Sequence, residues 1–173
     1  MKHRILPALA VLVVSSSLAV AQAPTGVRGD MLYQFNDAAS KITALAQAIS
    51  ADKYAWHPTG ARAVSEVFMH VVGSNYYLLT FAGVQPSKQL PRDAEHSIKD
   101  KAQIATELQA SFEHVRAAIS KLSDADLDKP TKMFGEDTNY RNVYLTTVTH
   151  MHEHLGQLIA YARSNGVVPP WSN

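Results

Sequence analysis

The chain predicts an all-α fold, a four-helix bundle with one long crossover connection. Three observations lead there. Four stretches of about twenty residues repeat apolar side chains at three- and four-residue spacing, the period of a helix with one buried face. Segments rich in Pro and Gly separate them. One separator, residues 85–96, carries Pro86 and Pro91 and is long for a tight hairpin, so it predicts a crossover. Helices of about twenty residues are each about 30 Å long, a length that suits a bundle. No segment alternates apolar and polar residues over a useful length, and 173 residues are enough for one domain.

The first element is a leader. Lys2, His3 and Arg4 precede a run from Ile5 to Val20 that is apolar apart from Ser15, Ser16 and Ser17, and Ala19-Val20-Ala21 supplies small residues for a peptidase. This pattern predicts a signal peptide over 1–21, a mature domain over 22–173, and an exported protein, periplasmic or secreted. Removing Lys2 and Arg4 leaves 14 basic against 15 acidic residues and no membrane anchor.

The first helix is expected over about residues 27–49, with Leu32, Phe35, Ala39, Ile42, Ala46 and Ile49 on one face. A loop through Trp56 and Pro58 follows, fixing one end of the bundle. The second helix, about 62–82, aligns Val67, Val71, Ser74, Leu78 and Phe81 and stops at Gly83. The third begins at Ser97, which with Asp100 resembles a capping box. Its expected core face is Ile98, Ala102, Ala105, Leu108, Phe112, Val115, Ile119 and Leu122. Residues 123–127 add one turn before Pro130. The fourth helix, about 142–164, carries two neighbouring stripes. One is Val143, Thr147, His150, His154, Leu158 and Tyr161, and the other Tyr144, Val148, Met151, Leu155, Ile159 and Ala162. Gly166 and Pro169-Pro170 end it.

Composition removes several functions. A formal charge of +1 gives no basic footprint for nucleic acid. The absence of cysteine removes disulfides, thiolate zinc sites and thiol nucleophiles. Histidine remains. His150 and His154, four apart, stack on one helical face, and His70 lies beside the apolar Val67/Val71 strip of the second helix. If these helices pack together, three imidazoles converge on one metal ion and leave part of its coordination sphere open. Other bundle chemistries fit less well. No Glu precedes a His by three residues, as di-iron carboxylate sites require. Gly156 stands where a zincin helix needs its second His. His152 is expected on the outer face, His114 off the core stripe, and His57 and His96 in loops.

Four motifs, in order, carry a family resemblance: Lys53-Tyr54-Ala55-Trp56-His57-Pro58, His70-Val71-Val72-Gly73-Ser74-Asn75-Tyr76-Tyr77, His150-Met151-His152-Glu153-His154-Leu155-Gly156-Gln157-Leu158, and Gly166-Val167-Val168-Pro169-Pro170. Together they resemble the DinB-like superfamily over nearly the whole mature chain. The resemblance implies a four-helix bundle with a divalent metal, zinc or nickel, held by His70, His150 and His154. It also implies kinship with thiol S-transferases that use bacillithiol, mycothiol or glutathione.

Neutral imidazoles leave the ion's charge uncompensated, so the open position favours an anion, and the pKa of a bound water falls to about 7. A thiol would ionise by the same logic. The expected function is therefore a metal-dependent hydrolase or thiol S-transferase acting on a small molecule. A non-catalytic metal-binding module and a metal-free helical interaction protein stay open as alternatives. Glu66, Tyr77, Glu153 and Gln157 are the candidate helpers, with Glu66 one turn from His70 and placed to orient it. A homodimer is expected by analogy with similar bundles.

Overall fold

A computed structural model describes residues 24–172; the expected leader lies outside the described residues. Four long helices form the bundle: α1 (Gly26–Ala48), α2 (Val64–Thr80), α4 (Lys101–Lys121) and α5 (Tyr140–Ser164). A single-turn α3 (Ala94–Ser97) interrupts the crossover, and a hairpin of β1 (Pro130–Met133) and β2 (Glu136–Asn139) precedes α5. None of the described helices is long and apolar enough to cross a membrane.

Helix α1 packs against α4 and α5, and α2 against the same two, which leaves α1/α2 and α4/α5 on the diagonals. Lys101, at the start of α4, donates to the carbonyls of Gln47 and Ile49 at the end of α1. Ala82 and Gly83, just past α2, line a cavity with Ala118 and Leu122 near the end of α4. Helix α4 therefore runs parallel to α2, and residues 81–100 must carry the chain back along the bundle, the expected crossover. The core between the layers is built on Phe35, Phe68, Phe112 and Tyr144, each at most 2% exposed, with Phe35 and Phe112 edge to face at 6.0 Å.

Three local expectations need correction. Helix α4 is capped by Asp100, whose side chain accepts from the Gln103 amide at 2.8 Å, while Ser97 closes α3. Its expected core face holds at Ile98, Leu108, Phe112, Val115, Ile119 and Leu122 but not at its two alanines. Ala102 and Ala105 are exposed, and Ile104, Ser111 and His114 turn inward. Alanine is too weak a hydrophobic marker to set the facing of a helix by itself. The third correction is the hairpin, where no strand was expected. Its turn residues Phe134 and Gly135 have φ of 55° and 93°, the type I′ geometry whose usual signal is Asn-Gly or Asp-Gly. The extra turn before Pro130 is present as a 3-10 segment, Ala125–Asp128. The turn after α5 holds, with Gly166 at φ 73° and Pro169 buried.

Helix α5 starts at Asn139, which accepts from the Asn142 amide at 3.0 Å. Both caps satisfy an amide with no partner inside its own helix. Asp100→Ala and Asn139→Ala should each lower stability by about 1 kcal/mol. Urea unfolding should show this as a shifted midpoint with an unchanged slope.

Candidate metal centre

Helices α2 and α5 lie side by side and antiparallel. His70 meets His150 and His154, while Thr131, ahead of α5, donates to the Phe81 carbonyl at the far end of α2. His70 stands in the second turn of α2 on the face turned to α5. On α5 the four-residue spacing stacks His150 under His154, as the sequence predicts. His150 Nε2 is 3.2 Å from His70 Nε2 and 3.0 Å from His154 Nε2. One ligand atom from each ring lies within 4.8 Å of the others. His154 is buried and the other two rings are half-buried, so the cluster sits at the rim of the core with a path to solvent.

The outer nitrogens fix which way the rings present their lone pairs. His70 Nδ1 lies 3.0 Å from Glu95 Oε2, and His154 Nδ1 lies 2.9 Å from Gln157 Oε1. Both oxygens only accept, so both Nδ1 atoms donate and both Nε2 atoms carry lone pairs. The supports extend further. Arg62 donates to Glu95 Oε1 at 2.5 Å. Gln157 donates to the Tyr161 hydroxyl at 2.9 Å, and Tyr161 packs edge to face on Trp56 at 5.2 Å.

Burial keeps the two α5 rings neutral. It pushes the His150 pKa down to about 4, helped by the neighbouring His154, His70 and Arg62. Burial also lowers the His154 pKa, against the hydrogen bond that its Nδ1–H donates to Gln157. Glu95 sits below the usual carboxylate range. Burial works against its charge, but the hydrogen bonds from Arg62 and His70 outweigh it.

These rings fit a metal ion. Tetrahedral nitrogens at about 2.0–2.1 Å from zinc stand about 3.3 Å apart, close to the observed 3.0 and 3.2 Å. Without a cation, His150 Nε2–H can satisfy only one of the two lone pairs facing it. The three histidines could therefore hold a divalent ion, with Glu95 and Gln157 as the groups that orient two of them.

The other candidates fall elsewhere. Glu66 does not reach His70. Its carboxylate accepts from the Ala63 amide at 2.9 Å, closing the N-terminus of α2, and faces His96 at 3.3 Å. The backbone hydrogen bond from Ala63 is the largest influence lowering its pKa. The role expected for Glu66 belongs to Glu95, which the sequence placed in a linker. No helical spacing ties Glu95 to His70; only the neighbouring breaker residues and the long crossover hinted that this segment returns along α2. Tyr77 is two turns from His70, 55% exposed, and stacks on Phe81. Glu153 is exposed. Of the four helpers, Gln157 alone touches the cluster. His152 turns away and pairs with the Val148 carbonyl at 2.9 Å. His114 is buried against Tyr76 on the α4 side. His57 is an exposed loop residue, and His96 is exposed on α3.

The sequence model of the DinB superfamily matches residues 34–158, a span holding all three histidines. The chain belongs to the DinB superfamily. Two solved structures agree with the fold of this DinB-superfamily chain. A DinB-like protein from Bacillus cereus aligns at TM-score 0.68 and 17% identity, covering 83% of this chain and 95% of its own. A DinB-like protein from Bacillus subtilis aligns at TM-score 0.62 and 22% identity, covering 79% of this chain and 92% of its own. No curated protein matches the sequence.

The depressed histidine pKa has a consequence for stability. Between the ordinary 6.5 and the lowered value of about 4, an unfolded His150 binds a proton that the folded one refuses. Stability therefore rises with pH across that window and is lost on acidification. In thermal melts of chelator-treated protein, the melting temperature should fall from pH 6.5 toward pH 4. His150→Gln should flatten part of that slope; an unchanged slope would contradict the burial of this ring.

Proposed function

We propose that this DinB-superfamily protein is a metal-dependent enzyme whose His70, His150 and His154 hold one divalent ion, zinc or nickel. The observation that carries the reading is the meeting of three imidazole nitrogens of which two are committed as acceptors. An ion bound there lowers the pKa of a water or thiol that reaches it, which supports hydrolase or thiol S-transferase chemistry.

The protein's own groups set the conditions for that chemistry. Glu95 and Gln157 fix the tautomers of His70 and His154, so a ligand nitrogen need not lose a proton when the ion enters. Burial holds His150 neutral at neutral pH, so the ion need not compete with a second proton on that ring. Arg62 keeps the Glu95 carboxylate charged and in place. Two rings remain half-buried, which leaves an approach for a small molecule. We further read the leader as directing export, so that the reaction runs in the periplasm or outside the cell.

Metal titration followed by elemental analysis tests the centre. The purified chain should take up one zinc or nickel ion. His154→Ala should abolish uptake, and His152→Ala should leave it intact. Glu95→Gln should retain the site but weaken affinity by about 10- to 100-fold, the range for loss of a group that orients a ligand. Equal losses in His152→Ala and His154→Ala would sink the assignment. An ion retained without solvent access, whose removal only melts the fold, would favour a structural role.

A further inference from the structure

Helix α2 and the crossover segment enclose a groove of about 560 Å3 that ends against His70 and Glu95. Gly73 and Ser74, one turn from His70, and Tyr77, two turns from it, line it from α2, and Leu90 and Pro91 line it from the crossover. Its size falls within the range of small-molecule sites.

Gly73 is the informative residue. Glycine is among the poorest helix formers, yet this one lies in the middle of α2. Its backbone is not left-handed, and an added Cβ would meet nothing within 4 Å. Neither backbone geometry nor packing calls for glycine here; what it provides is a bare lining beside His70. Tyr77 is held by Phe81 at 5.2 Å and by Phe134 at 6.4 Å. Phe134 reaches it from a left-handed turn position that disfavours a bulky residue. At the mouth, Arg92 has no ion-pair partner among the described residues, whereas Lys88 is engaged by Glu107 at 2.6 Å.

We propose that this groove is the substrate site of the metal centre, and that it takes a small compound with an anionic head at the ion and a flat apolar body over Gly73 against Tyr77. The inference rests on the three-histidine reading and adds the class of substrate. Charge supports the head, since a dication on neutral ligands and an unpaired Arg92 both favour an anion, and the Glu95 carboxylate at that end is already balanced by Arg62. The apolar lining from the crossover and the stacked Tyr77 support the body.

The test compares two probes that share a metal-binding hydroxamate head, acetohydroxamate and benzohydroxamate, by titration calorimetry on the zinc-loaded full chain. Benzohydroxamate should bind at least about tenfold more tightly, since its ring is buried in the groove. Gly73→Leu fills the groove and should erase most of that preference. Zinc content should be unchanged, and acetohydroxamate should lose far less affinity than benzohydroxamate. Tyr77→Ala should reduce the preference without blocking the groove. Equal binding of the two probes by the zinc-loaded wild type would overturn the groove and leave the metal centre standing, as would a preference surviving both substitutions. A chain that takes up no zinc would overturn both.

Discussion

The hydrogen bond between Glu95 and His70 ties together the two halves of this structure. It joins the crossover to α2, and it sets the tautomer of one ring in the histidine cluster. Every element around it serves one side or the other. The crossover must run back along α2 to bring Glu95 within 3.0 Å of Nδ1. Arg62, just before α2, must hold the other carboxylate oxygen. Helix α5 must then lie antiparallel to α2 so that His150 and His154 face the nitrogen this bond leaves free. Remove the bond, and His70 regains a choice of tautomer and of ring rotation.

A second support mirrors the first on α5. Gln157 holds His154, Tyr161 holds Gln157, and Trp56 packs on Tyr161. One arm is ionic and comes from the crossover. The other is neutral and ends in an aromatic contact at the bundle's edge. Between them stands His150, whose pKa burial pushes down to about 4, helped by its imidazole neighbours. His154 shares the burial, but the hydrogen bond it donates to Gln157 works the other way, and His150 has no such acceptor. Such a site is poised for a metal cation, because two of its nitrogens already present lone pairs and burial discourages protonation of the two α5 rings.

The bundle also explains where the approach to the cluster lies. Helices α2 and α5 are neighbours in the bundle, and half-buried His70 borders the groove that α2 forms with the crossover. The crossover is thus three things at once: the device that makes α4 parallel to α2, the source of Glu95, and one wall of the groove. Long connections in compact folds often carry function on a rigid scaffold, and here the scaffold is α2 itself.

Much of this architecture is legible in the sequence. The four helices follow from apolar periodicity, which depends only on neighbours three and four residues away. The i,i+4 pair of His150 and His154 follows from the same rule, as does Gln157 three residues beyond His154. The crossover follows from the length and prolines of one linker. What local pattern could not carry was facing and partnership across space. On α4 the large apolar residues face the core as expected, while Ala102 and Ala105, which mark no face strongly, do not. The hairpin is hidden because Phe134 stands where Asn or Asp normally announces the turn. Glu66 looked like the partner of His70 because it is one helical turn away, yet the free Ala63 amide claims it first. Sequence alone determined which residues share a helix face. Tertiary structure alone decided that His70 and His150, 80 positions apart, touch, and that the carboxylate beside them comes from residue 95. Contacts of that range leave no periodic trace, since they depend on how whole helices pack and where a connection returns.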